Sequence, residues 1–333
     1  MWYISFHGGS GSINNILVYH DSGDEHSQPD LLPTGGSNPA LQELRGFALV
    51  GNSLYVLNAY KKYSQILIYG SGGNGGYNFT EVFASKDRTN SILHPYDLTF
   101  DTQGNCYVSS QDTNVVTGLD EAGSPLAVAP YLQQQYPPPT EFLAGTIVAS
   151  SVGALPGVRS PAPPNVSAPQ GLEVSFTDST DTEVANSVRG VLFYNGYLYV
   201  ADEPANEVKV YDSNTGALYG QIAGDNLSAP VQLLLNEATG VLYIGSSGND
   251  SVVSYDISEK APSGIVTPTT FIDGEVKHVS GMGFDADGYF FAAERKAQKI
   301  KKFPPDGSGS GKDFITNLPD DPEFILYVPK GSN

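Results

Sequence analysis

The chain has 333 residues, with 36 acidic side chains against 17 Lys and Arg, a formal net charge of −19. That balance excludes an ordinary nucleic-acid binder, because phosphate binding needs a basic face, and it disfavours docking on anionic lipid. No apolar run reaches the ~20 residues that span a bilayer, while 40% hydrophobic residues can support a core.

The chain opens on Met1-Trp2-Tyr3-Ile4-Ser5-Phe6-His7, which lacks the basic and apolar regions of a signal peptide. The expectation is a soluble protein, either cytoplasmic or secreted with its signal peptide removed. Trp2–Ile4 and Ile16–Tyr19 read as short strands. A pattern then begins to repeat: an apolar strand, a polar turn with Gly, a Leu-Tyr-Val-like strand, a polar loop, and a strand ending in an aromatic. First strands start near Arg45-Gly46-Phe47, Tyr96-Asp97-Leu98, Arg189-Gly190-Val191, Val231-Gln232-Leu233 and Ser280-Gly281-Met282. Second strands are Leu54–Val56, Cys106–Val108, Leu198–Val200, Leu242–Ile244 and Phe290–Ala292. Third strands are Ile66–Tyr69, Val115–Thr117, Val208–Tyr211, Val252–Tyr255 and Ile300–Phe303. Fourth strands recur more loosely, as in Glu81–Phe83, Thr270–Ile272 and Asp313–Ile315.

Four strands at a period of roughly 40–50 residues match propeller blades. The N-terminal strands lack a first strand, and Glu323–Val328 at the other end lacks a second. Joined, they make one complete blade and leave no long open sheet edge. The expected fold is therefore all-β: a six-bladed β-propeller, a single domain over 1–333, closed by pairing of the C-terminal strand with the N-terminal blade. The interval from Asp97 to Gly190 is close to two periods, so seven blades is the alternative. Glu141–Gly145 reads as the fourth strand of blade three. The stretch at about 146–188, with Pro161, Pro163, Pro164 and Pro169, reads as an insertion over the central mouth. Cys106, the sole cysteine, permits no internal disulfide and sits in an apolar alternation, as a small buried hydrophobe does. Asp285-Ala286-Asp287-Gly288 lacks the closing Glu of a calcium loop and falls where other blades turn.

In such a ring the starts of the inner strands converge on one mouth of the channel. Those positions are Arg45, Asp97, Arg189, Gln232, Ser280 and Glu323. The loops after the second strands add His7, Asn58, Ser110, Asp202, Ser247 and Glu294, and His94 and His278 precede their inner strands. Two arginines at equivalent positions offer planar, bidentate donation to a carboxylate or enolate. Arg45, Arg189, Asp97, Glu323 and His278 are the expected catalytic set, the arginines stabilising negative charge and the others moving protons. His7, His94, Gln232, Ser280, Asp202 and Glu294 are the expected substrate-lining set.

The segment from Arg189 to Asp202, closing at Val208-Lys209-Val210-Tyr211-Asp212, resembles an NHL-type blade. That group grades into the SMP-30/gluconolactonase and strictosidine-synthase-like six-bladed propellers. The SMP-30 resemblance implies a divalent metal held at inner-strand starts. Here, however, Ser280-Gly281-Met282 stands where that family has Asp-Gly-Met, and Arg189-Gly190 where it has Asn-Gly. Two arginines in one mouth also repel a dication. No cofactor is expected, with calcium or zinc belonging to the alternative.

The expected function is a small-molecule enzyme, and the resemblance implies one of natural-product cyclase or lyase type. It would bind an acidic or enol-like substrate in the central channel, need no metal, and act as a monomer with no nucleic-acid or membrane partner. One alternative is a metal-dependent lactonase or esterase, a hydrolase of SMP-30 type using Asp97, Glu323 and Asp202. Another is a non-catalytic NHL-like interaction platform for a basic partner.

Overall fold

Strands of three to nine residues, 25 among the described residues and the inner ones carrying apolar alternation, make up the computed structural model. It describes residues 1–8, 13–72, 76–89, 92–112, 114–126, 146–148 and 188–329. The strands form six separate sheets, the six blades of a β-propeller. From blade one to blade six the inner strands are Pro322–Tyr327, Leu44–Val50, Pro95–Phe100, Val188–Tyr194, Pro230–Asn236 and Val279–Phe284. Each pairs antiparallel with a second strand and, through it, with a third. The expected six-bladed ring is the observed one.

Closure occurs where the two ends of the sequence complement each other. Trp2–Phe6 pairs antiparallel with Pro322–Tyr327, in the register Trp2↔Tyr327, Tyr3↔Leu326 and Ile4↔Ile325. The Met1 ammonium donates to the Val328 carbonyl at 2.9 Å and pairs with Asp21. Trp2 seals the seam with blade six, its ring 4.3 Å from Phe291 and 5.1 Å from Tyr327.

In blades three and six the turn between first and second strands is an Asx turn. Asp101 Oδ1 accepts the amides of Gln103 and Asn105, and Asp285 Oδ1 those of Asp287 and Tyr289. Gly104 and Gly288 take the positive φ that these turns need. The carboxylate of Asp285 thus serves its own backbone, as the turn reading of Asp285–Gly288 requires. Cys106 is fully buried, and desolvation, with Asp101 nearby, pushes its thiol pKa well up.

Two elements differ from the sequence expectation. Blade four has a fifth strand, Gly264–Val266, which pairs parallel with the outer strand Leu218–Ala223. The chain reaches it on its way from the third to the fourth strand of blade five, and covers an edge that would otherwise stand open. In blade three the outer strand is Thr146–Val148, parallel to Val115–Leu119. Glu141–Gly145 lies outside the described residues, as does nearly all of the insertion expected at 146–188.

One irregularity recurs in every blade. The first residue of each inner strand pairs with the end of the second strand, and the register then shifts by one, between Leu44 and Phe47, Pro95 and Leu98, Val188 and Val191, Pro230 and Leu233, and Val279 and Met282. Blade one shows the same shift opposite Phe6 and Ile4. Each inner strand therefore holds one extra residue, a β-bulge at the channel mouth. The first bulge residues are Arg45, Tyr96, Arg189, Val231, Ser280 and Glu323. The second are Gly46, Asp97, Gly190, Gln232, Gly281 and Phe324.

The second set alternates glycine with a larger side chain, because neighbouring inner strands approach too closely for two. A Cβ on Gly190 would stand 2.8 Å from the Leu233 amide nitrogen and 2.9 Å from the Val231 carbonyl oxygen. Gly46 meets Asp97 in the same way, and Gly281 meets the Glu323–Ile325 backbone. Gly190→Ala is expected to destabilise the protein by ~1–3 kcal/mol through backbone overpacking. Gly76→Ala, with open space around its Cβ, serves as the control. Equal urea midpoints for the two variants would show that the close approach is wrong.

Candidate functional site

The bulge divides the channel. First bulge residues face the mouth at which the inner strands begin, where Tyr96, Arg189, Ser280, Glu323, His278 and Arg295 line a cleft of about 60 Å³. The second bulge residues Asp97, Gln232 and Phe324 border a larger chamber, of about 570 Å³, along the later residues of the inner strands. Asp97 and Gln232 belong to the chamber. This corrects the sequence alignment, which set both in one ring with Arg45, Arg189, Ser280 and Glu323. Their true counterparts in that ring are Tyr96 and Val231. The extra residue in each bulge has no marker of its own in an apolar run, so the frame slips by one.

The mouth is organised around Glu323, which is 1% exposed. Its Oε1 is 2.6 Å from Arg45 Nη1, 3.0 Å from Arg295 Nη2 and 2.8 Å from His7 Nδ1. Burial alone would raise its pKa. Arg45, the hydrogen bond from His7 and Arg295 outweigh that, and hold the carboxyl well below the usual carboxylate range. Glu323 is therefore ionised at neutral pH and holds guanidinium groups in place, instead of the proton-moving role expected for it. His7 Nδ1 also lies 2.5 Å from Arg45 Nη1 and 2.6 Å from Arg295 Nη2. It sits between one acceptor and two donors, so its protonation decides which contact it makes.

Arg189 occupies the equivalent place two blades on. Its Nε donates to Glu203 Oε2 at 2.8 Å, and its guanidinium lies over the Tyr96 ring at 4.9 Å. Burial, then Glu323, keeps the Tyr96 hydroxyl pKa above its ordinary value. Arg45, Arg189, Arg295 and Lys296 thus gather against Glu203 and Glu323. Positive charge exceeds negative at this mouth, in a chain of net charge −19. Arg45 Nε and Arg295 Nε are buried without a hydrogen-bond partner among the described residues.

Of the expected site residues, the fold brings together Arg45, Arg189, Glu323, His7, His278, Ser280 and Ser247. The Ser280 hydroxyl donates to the Pro322 carbonyl at 2.6 Å, tying blade six to blade one. His278 is exposed at the rim, its amide held by Asp250 Oδ1.

The other expected residues lie elsewhere. His94 Nδ1 bonds Asp112 Oδ1 at 3.1 Å, and Nε2 faces Glu43 at 3.4 Å, between blades two and three. Asp202 is buried inside blade four and pairs with Lys209 Nζ at 2.8 Å. Glu294 is held in blade six by Lys299 at 3.0 Å and by the Lys277 amide. Asn58 and Ser110, like Asp202 and Glu294, end second strands and pair with first residues of inner strands. One residue further on, the chain reaches the mouth, at His7, Glu203, Ser247 and Arg295. Sequence reading placed His7 and Ser247 in that frame and missed Glu203 and Arg295, which the same count from the ends of the second strands would have found.

An SMP-30-type metal would need Asp97, Glu323 and Asp202 to converge with free oxygens. Glu323 is occupied by guanidinium groups, and Asp202 by Lys209. Asp97 Oδ2 accepts the Val191 amide at 3.1 Å, and Oδ1 accepts the Leu98 amide at 2.8 Å. Among the described residues, no three His, Cys, Asp or Glu side chains form a cluster that could hold a metal ion. The residues present do not fit that group.

No family model matches the chain, and no curated protein matches it. Solved structures do. A chain of a nidogen/laminin complex superposes with a TM-score of 0.56 at 11% identity, over 98% of this chain and 97% of that one. A streptogramin B lyase gives a TM-score of 0.48 at 11% identity, over 96% and 74%. A virginiamycin B lyase from Staphylococcus aureus gives 0.46 at 12%, over 84% and 73%. At such identities the nidogen/laminin likeness shows the propeller fold alone. Among the described residues no helix is long and apolar enough to cross a membrane.

Proposed function

We propose that the basic mouth binds the anionic group of a small acidic or enol-like organic substrate, and that the protein is an enzyme of lyase or cyclase type needing no metal. The observation that supports this reading is the gathering of Arg45 and Arg295 around a carboxylate that stays ionised, with Arg189 lining the same cleft. An ionised Glu323 fixes two guanidinium groups before ligand arrives, so little reorganisation accompanies binding. Arg189, fixed separately by Glu203 and stacked on Tyr96, faces the same cleft.

The cleft of about 60 Å³ suits a carboxylate or enolate head, with the rest of the substrate extending from the mouth. Arg189 and Arg295 would hold that head and stabilise charge developing on it. His278 at the rim and His7 beside Glu323 are the groups placed to move a proton. Asp97 is not in this set, because it opens on the chamber.

Melting temperature with a panel of small carboxylates, lactones, phenolic acids and divalent metals tests the proposal. Ligand at 100 times its Kd should stabilise the native state by ~2.7 kcal/mol. Organic anions should raise the melting temperature, and the rise should vanish in Arg295→Ala. A rise with divalent metal alone would reject the proposal in favour of metal-dependent hydrolysis.

A further inference from the structure

The chamber on the far side of the bulge has the opposite character to the mouth. Its volume of about 570 Å³ is that of a small-molecule site. Phe47, Leu192, Leu234, Met282, Phe284 and Phe324 supply much of its wall. Among the described residues lining it, Asp97 and Glu237 are the only charged side chains, and both are acids. Asp97 is 8% exposed. It caps the free amide edge of the neighbouring inner strand at Val191, as Gln232 does at Met282. Burial and the backbone amides of Val191 and Leu98 act on Asp97, with no Lys, Arg or His beside them. Burial consequently raises its pKa to about 7. Each Asp97 oxygen accepts one backbone amide and keeps a second lone pair, and no full positive charge balances this buried carboxylate in an aromatic-lined chamber.

We infer that the chamber is a second binding site, which takes an amphipathic organic ammonium ion with its apolar body among the aromatic and aliphatic walls and its charged end toward Asp97 and Glu237. The site is separate from the basic mouth, and does not depend on what the mouth binds. The charge of the ligand sets the entrance: Glu237 at the exposed rim attracts a cation that the arginines at the opposite end would repel.

Three probes sharing one skeleton test this by calorimetry: 3-phenylpropylamine, 3-phenylpropanol and 3-phenylpropionate. The amine should bind at least ~10-fold more tightly than the alcohol. Glu237→Lys, a surface change, should weaken the amine ~3–10-fold and leave the alcohol unchanged. Arg295→Ala should leave the amine unaffected. Asp97→Asn should remove the preference for amine over alcohol; Glu237→Lys keeps the test decisive should that variant fail to fold. The alcohol binding as tightly as the amine, or amine affinity indifferent to Glu237→Lys, would overturn the inference.

Discussion

Replacement of Glu323 by Gln is expected to destabilise the protein by ~3–5 kcal/mol, because it strips the counter-charge from a guanidinium that stays buried. Arg45 is 2% exposed and cannot swing into water to recover its hydration. Arg295, more exposed, loses an anchor and not its solvation. The pH dependence gives a second reading of the same group. Its folded pKa lies below the unfolded value, so its stabilisation is present above about pH 4.5 and is lost as pH falls through the folded pKa. Asp97 works with the opposite sign. Its folded pKa is raised to about 7 from 3.8, so ionising it costs stability progressively as pH rises from about 4 to about 7. Urea midpoints from pH 3 to 8 should show Glu323→Gln with a shallower acid-side slope, the remainder coming from Asp112 and Asp250, and an unchanged decline toward neutral pH. An unchanged acid-side slope in that variant would mean that Glu323 is not held by the arginines.

The other large effect concerns closure of the ring. Deleting residues 322–329 removes the inner strand of blade one. It also bares the edge of Trp2–Phe6 and takes away the Ile325 and Tyr327 contacts around Trp2. Loss of so much burial exceeds the 5–15 kcal/mol by which native domains are held, so the deletion should not fold, read as loss of near-ultraviolet circular dichroism. A circular permutant, with residues 1 and 329 joined by a short glycine linker and the chain opened at the Asp287–Gly288 turn, keeps every strand and should fold. A folded deletion variant, or an unfolded permutant, would show that the seam is not what holds the ring.

The blades were legible because strand periodicity survives averaging over many residues. Leu-Tyr-Val before a polar loop identifies a second strand without any knowledge of its neighbours. The incomplete ends identified the closure, since only their pairing completes a blade. The mouth was half legible. A repeat position points to the channel, and that located Arg45, Arg189, Ser280 and Glu323. The bulge then shifted Asp97 and Gln232 into the chamber, because an inserted residue in an apolar strand changes which face a side chain meets without altering composition. Asp202 and Glu294 were misplaced by the same single residue. Arg295 went unnoticed because it stands one residue beyond the second strand Phe290–Glu294. The fifth strand of blade four was not legible, because Gly264-Ile265-Val266 acquires its partner from another blade.

The account rests on the mouth being an anion site held ready by Glu323. The most direct measurement is calorimetric titration of a small aromatic carboxylate into the wild-type protein, Arg189→Ala and Arg295→Ala. Each variant must be shown to melt cooperatively. Binding to wild type that falls ~10-fold or more in each variant, as expected for a lost charge-assisted pair, is the predicted result. Equal affinity in all three proteins would place the anion elsewhere and contradict the account.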